Sequence, residues 1–240
     1  MAFPRYRDAS FPVAGRARPL ADPFALSPAD AAQARAKVDW TTHITQTPAG
    51  AYVIGNPQAP VKLVEYVSYT CPHCAAFVAA ATPVLKGRFV RSGSTSVEIR
   101  HYLLNRIDLA AALVARCGGA GKFVGLTETL FAQQKNWSQR AFDFEQANGQ
   151  RIGMYPQAAQ MRAIADGAGL TAIGKGAGLS DAQIAACLSD RAATDRIVAM
   201  TSSAPESFEG TPGFFINGKQ ALGVFGWDRL LPLLRAAGSR

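Results

Sequence analysis

The sequence predicts an α/β protein: a mixed sheet made from a β-α-β unit and a distant β-β-α unit, with an all-helical block inserted between them. Three observations carry that expectation. Residues 61–68 (VKLVEYVS) are a near-continuous apolar, β-branched run, the pattern of a strand buried on both faces. A helical stretch and then an alternating run at 97–104 (VEIRHYLL) follow directly, which makes a right-handed crossover with its two strands parallel. Near the far end, Asn217-Gly218 sits between two apolar runs, the strongest short signal for a hairpin.

Taken in order, residues 1–26 carry Pro4, Pro12, Pro19 and Pro23 without a clear period and read as an extended arm. Ser27-Pro28-Ala29-Asp30 has the form of a helix start, with Ser as cap, Pro at the first helical position and an acid in the first turn. A short polar helix to Trp40 is expected. Because it shows no heptad stripe, an appendage packed on the domain is favoured over an oligomerising segment. Residues 51–55 read as a short strand, and Asn56-Pro57 and Ala59-Pro60 as a turn. Residues 72–91 read as a helix kinked at Pro83. From 105 to 207 helical periodicity recurs, with helices expected at 109–117, 122–134, 156–167, 180–188 and 191–208, and a capping box at Ser180-x-x-Gln183. Strands return at 214–216 and 220–224, and a helix at 228–237 closes the chain, with Pro232 tolerable only near its first turn. The expected organisation is an N-terminal extension (1–47), a sheet domain (48–107 with 208–240) and an inserted helical domain (108–207).

Composition bounds the function. Of 240 residues, 48% are hydrophobic and 18% charged, which supplies a core and excludes a disordered chain. The net charge of +8 comes from scattered basic residues, without the clustered footprint of a nucleic-acid binder. The longest nearly apolar run, 74–85, falls short of the roughly 18–20 residues of a membrane-spanning helix, so the chain reads as soluble. The first eight residues lack the apolar stretch of a secretory signal. Either the protein is not exported or the sequence is a processed form.

The chemistry concentrates at Cys71-Pro72-His73-Cys74, where the strand 61–68 gives way to a helix. A helix N-terminus presents unpaired N–H groups and the positive end of the dipole, so a thiolate there is stabilised and its pKa falls. Pro72 fits the first turn, and the three-residue spacing lets two sulfurs meet as a disulfide requires. Cys71 should be the exposed, acidic attacker, and Cys74, one turn further in, the buried thiol that resolves the mixed disulfide. His73 can add a hydrogen bond or charge to the Cys71 thiolate. Anything that stabilises the reduced dithiol makes the disulfide a stronger oxidant. Half of a zinc site, a purely structural bridge and two idle thiols are the competing readings. Zinc normally takes four ligands, and no second C-x-x-C or paired His exists. Glu65 sits inside the apolar strand on the face of Val61, Leu63 and Val67. Buried there, it should have a raised pKa and could exchange a proton with Cys74; an edge position reaching water is the alternative. Pro212, on spacing alone, ends the preceding helix. Gly213-x-x-x-x-Gly218-Lys219 imitates a phosphate loop, but Gln220 stands where Ser or Thr is required. His43 and His101 read as structural. Nothing implies a metal or an organic cofactor.

The segment LVEYVSYTCPHC (63–74), with GTPGFFINGK (210–219), resembles the DsbA family of thioredoxin-fold disulfide oxidoreductases, over residues 48–240 and including an inserted helical block. The resemblance implies that Cys71 is the nucleophile, Cys74 the resolving thiol, Pro72 and His73 the pair that tunes the potential, and Glu65 the buried acid. It also implies that Pro212 is a cis-proline facing the disulfide and that Thr211 offers backbone groups to a substrate strand. The function implied is donation of the Cys71-Cys74 disulfide to reduced, unfolded exported proteins, in the periplasm or an equivalent compartment. A quinone-linked membrane partner would reoxidise the pair. An isomerase or reductase on the same fold, dimerising through its N-terminal segment, is the alternative, although a monomer is favoured. Cys117 and Cys187, on apolar helical faces with Leu113 and with Ile184 and Leu188, read either as buried thiols or as a structural disulfide; an oxidising compartment favours the bridge.

Overall fold

Residues 38–240 of the computed structural model are described, and they open with a 3-10 turn at Trp40–Thr42 that Asp39 caps by accepting the Thr41 N–H at 3.0 Å. The helix expected from Ser27 lies outside the described residues up to position 37. Next, β1 (Ile44–Gln46) and β2 (Tyr52–Ile54) form a hairpin whose turn places Gly50 at φ +89°. β3 (Val61–Val67) then leads through a short turn into α1 (Pro72–Val84), which continues as a π-helical segment, Leu85–Val90, before β4 (Thr95–His101). Seven helices follow: α2 (Arg106–Arg116), α3 (Ala120–Ala132), α4 (Gln134–Gly153), α5 (Gln157–Ala168), α6 (Leu170–Gly176), α7 (Asp181–Leu188) and α8 (Arg191–Ser202). The chain returns to the sheet as β5 (Gly213–Ile216) and β6 (Lys219–Gln220) and closes with α9 (Trp227–Ala236).

The six strands lie in the order β1-β2-β4-β3-β5-β6, with β3 and β4 parallel and the other pairs antiparallel. The most apolar strand therefore lies inside the sheet, flanked by β4 and β5. Glu65 is registered between Ile99 of β4 and Phe214 of β5, so those side chains share its face. α1 covers this face. Its Phe77 packs on Phe214 at 4.6 Å between ring centroids and on Trp227 of α9 at 6.2 Å. In the helical block, α2 is buried along its whole length from Ile107 to Arg116; its alanines let α3, α5 and α7 pack close around it.

The element limits differ from expectation for local reasons. Ile44–Gln46, assigned by sequence to the extension, is an edge strand too short to show alternation. The helix expected to run to 208 stops at Ser202, because Ala204 precedes Pro205 and is pushed out of the helical region. The 220–224 strand shrinks to Lys219–Gln220. At Pro83, which cannot donate to the helical ladder, the expected kink appears as the wider-wound turn just beyond it. α9 begins at Trp227, so Pro232 sits in its second turn rather than its first; burial of Leu230 and Leu234 holds the helix despite the missing donor. The Ser180/Gln183 capping box forms with both of its reciprocal hydrogen bonds.

Candidate active site

The turn between β3 and α1 carries the two thiols. Cys71 is the N-cap of α1 in an extended conformation and Pro72 occupies the first helical position, so the Cys71 side chain stands at the N-terminal end of the helix, without a side-chain cap hydrogen bond. Cys71 is only 6% exposed, contrary to the expected exposed thiol. The loop before β5 covers it: the Thr211 carbonyl oxygen lies 3.2 Å from Sγ, and the Thr211-Pro212 peptide is cis. Cys74 is fully buried one turn further in, and both residues are free thiols.

The two sulfurs are inequivalent. The Cys74 thiol donates to the Cys71 sulfur and pulls its pKa down; burial opposes this, and the Thr211 hydroxyl and the N–H groups of Cys74 and His73 assist it, leaving Cys71 at about 5. The Thr211 carbonyl can accept only from the thiol form, so it works against ionisation without reversing it. Burial drives Cys74 the other way, well above the usual thiol range, reinforced by the Cys71 charge and by Glu65. Glu65 is 4% exposed, one of its oxygens has no partner, and burial alone lifts its pKa to about 8. It faces an apolar cavity of about 70 Å³ beneath α1. The His73 ring is exposed, and what this residue gives the Cys71 sulfur is its backbone N–H. The ring lines a groove of about 430 Å³ with Ala76, Ala80, Phe225 and Trp227.

The structure thus gathers Cys71, Pro72, His73, Cys74, Thr211 and Pro212 around the start of α1, with Glu65 behind Cys74. Cys117 and Cys187 lie apart in the helical block, bonded to each other at the end of α2 and within α7, with S–S 2.08 Å and Cα–Cα 5.5 Å. His101 is buried against Tyr69 with neither ring nitrogen bonded. Burial and the nearby Arg116 charge push its pKa down to about 3, so it packs as a neutral ring.

Sequence reasoning missed the groups that hold the turn 68–71. The buried Asp108 carboxylate of α2 accepts the Tyr69 N–H at 2.7 Å and the Leu104 N–H at 3.1 Å; burial nonetheless raises its pKa to about 6. Asn105 donates to Thr70 Oγ1 at 3.2 Å, and the Tyr69 hydroxyl pairs with Thr127 Oγ1 at 2.8 Å. Gln134, the first residue of α4, donates from Nε2 to the carbonyls of Tyr69 (2.8 Å) and Cys71 (2.7 Å). The only sequence signal was Asn105-x-x-Asp108, a helix start in which Asn105 caps the Asp108 N–H.

Known proteins resemble this arrangement. A family model described as Thioredoxin matches residues 47–235. A protein of Rickettsia typhi, named a protein-disulfide oxidoreductase, is 31% identical over 174 residues, covering 70% of this chain and 55% of that one. The chain therefore spans about half the length of the curated relatives it matches. Among solved structures, a protein-disulfide isomerase from Novosphingobium aromaticivorans superposes with a TM-score of 0.73 at 30% identity, covering 78% of this chain and 97% of that one. Wolbachia pipientis alpha-DsbA1 superposes with a TM-score of 0.63 at 20% identity, over 82% and 95%. With its parallel β3/β4 pair, its thiols at the start of α1 and its helical block between β4 and β5, the chain belongs to the thioredoxin family and has the fold of the DsbA-type proteins.

Proposed function

We propose that the chain is a thiol–disulfide oxidoreductase that passes a Cys71-Cys74 disulfide to reduced, unfolded exported proteins. The observation that carries this reading is the inequality of the two thiols: one at a helix N-terminus with its pKa pushed down to about 5, the other fully buried and pushed up. The names of the Rickettsia and Novosphingobium relatives support it.

The reaction begins with a substrate thiolate attacking Cys71 Sγ. A substrate–Cys71 bond forms, the Cys71-Cys74 bond breaks, and Cys74 leaves as a thiolate. Because Cys74 is a poor anion, it takes a proton as it leaves, and Glu65, protonated up to about pH 8, is the acid on its side of the sheet. A second substrate thiol loses its proton and attacks the substrate sulfur of the mixed disulfide, releasing Cys71 as its stable thiolate. Two electrons pass to the protein and the substrate gains one disulfide. Thr211, its carbonyl beside Cys71, is the backbone group on which an extended substrate would pair as a strand, and the groove edged by His73 and Trp227 would take its apolar side chains. Reoxidation by a quinone-linked membrane partner, and export to the periplasm, complete the proposal. Among the described residues no helix is long and apolar enough to cross a membrane.

Cys71→Ser should abolish oxidation of a reduced two-cysteine peptide. Cys74→Ser should accumulate a covalent Cys71–substrate adduct on a non-reducing gel; a fully active Cys74→Ser would refute the scheme. An isomerase, the activity named for the Novosphingobium relative, would instead refold scrambled substrates and leave reduced ones unoxidised.

A further inference from the structure

We infer that Gln134 is a positioning residue for the Cys71 thiolate: its side-chain amide clamps the carbonyls of Tyr69 and Cys71 so that the N–H groups at the start of α1 stay aimed at the sulfur. The inference rests on the oxidoreductase reading above and deepens it, because it makes the helical block part of the redox site.

The geometry is specific. Gln134 is buried at the beginning of α4, outside the β3–α1 unit that carries the cysteines. Its Nε2 donates at 2.8 Å to the Tyr69 carbonyl and at 2.7 Å to the Cys71 carbonyl. Both neighbours are carbonyl oxygens, which only accept, so the amide orientation is determined: NH2 faces the turn and each of its hydrogens is used. The two carbonyls belong to residues on either side of Thr70, so one planar group fixes the path of the chain into the helix. The Cys71 carbonyl is also where the first helical bonds of α1 end, from the N–H groups of Cys74 at 3.2 Å and Ala75 at 3.4 Å. Holding that oxygen holds the first turn of α1, and with it the His73 and Cys74 N–H groups whose nearness to the sulfur lowers its pKa.

Electrostatics point the same way. The Cys71 carbonyl oxygen is a partial negative charge on the same residue as the thiolate. A donor that draws on it lessens its repulsion of the sulfur anion. Asp108 grips the opposite side of the turn by accepting from Tyr69 N, so donor and acceptor together fix the Tyr69 backbone from two helices of the block.

The test is titration of the Cys71 thiolate by its ultraviolet absorbance in the reduced full chain, for wild type, Gln134→Met and Gln134→Glu. Met keeps the length of the side chain without a donor, and Glu, buried against two carbonyls and therefore protonated, keeps the shape with one donor in place of two. Gln134→Met should raise the Cys71 pKa by about one unit, a tenfold change in its ionisation constant, and lower the reduction potential at neutral pH by about 30 mV. Gln134→Glu, which keeps one of the two donors, should raise the pKa by less than Gln134→Met. A purely structural role would lower the melting temperature and leave the pKa and potential unmoved; that result, or failure of both variants to fold, overturns the inference. A wild-type Cys71 titrating in the ordinary thiol range would instead count against the oxidoreductase reading itself.

Discussion

At the scale of single residues, Cys71 and Cys74 differ in the groups their positions give them. Cys71 stands at the N-terminal end of α1, while Cys74 stands buried one turn further in, where the loss of water is the largest influence on its thiol. Iodoacetamide should therefore alkylate Cys71 in the reduced protein with a midpoint near pH 5, and a midpoint in the ordinary thiol range would contradict the assignment. The same shift stabilises the reduced fold. Its thiolate contribution is fully present above pH 9, where an unfolded cysteine also ionises, and is lost as pH falls through about 5. Glu65 acts with the opposite sign. Burial raises its pKa from 4.5 to about 8, so between those values the folded chain keeps a proton that the unfolded chain has released, and stability falls as pH rises. Glu65→Gln removes that loss. Relative to wild type, the oxidised variant should gain up to about 4 kcal/mol of stability between about pH 4 and about pH 9 in denaturant titrations. An equal difference at both pH values would mean that the carboxyl is not held neutral by burial.

At the scale of elements, the β3–α1 turn is gripped by α2 through Asp108 and by α4 through Gln134, and the helical block is itself fastened by the Cys117–Cys187 disulfide. Closing a loop with a sequence separation of 70 restricts the unfolded chain by about 4 kcal/mol. Replacing both cysteines by Ala should cost about that much in a guanidinium melt with Cys71 and Cys74 oxidised, while the Cys71 titration stays in place. Loss of stability together with a shifted titration would mean that the block transmits its strain to the turn. Much of this level was legible in the sequence. The apolar run of β3, the Cys-Pro-His-Cys at a helix start and the Asn-Gly hairpin each declare themselves through local chemistry. α4 did not. Its buried residues are Gln134, Trp137, Ala141 and Ile152, so a polar side chain opens its inward stripe and the period fades in the last turns. Gln134 read as the tail of the preceding helix, and its partners, Tyr69 and Cys71, are more than sixty positions away in the chain. Contacts of that span leave no periodic trace. β1 was hidden for a simpler reason, being three residues long.

At the scale of the whole molecule, the fold sets the proposed catalytic turn at the end of an inner strand, covers it with the Thr211-Pro212 loop on one side and braces it with inserted helices on the other. The redox couple proposed for Cys71 and Cys74 would then carry one stabilised anion in its reduced form. Protonation should then be visible in the potential. Above pH 5 the couple takes up one proton for two electrons, a slope of about 30 mV per pH unit; below it both thiols are protonated and the slope doubles to about 60 mV. Equilibration with glutathione at neutral pH gives the reduction potential of the Cys71/Cys74 pair, on which the assignment of this site turns. A nucleophile ionising near 5 rather than near 7, as in thioredoxin, puts the couple about 50 mV above thioredoxin's roughly −270 mV. A value near −220 mV is the result predicted, and one at or below −270 mV would contradict the reading of this site as a disulfide donor.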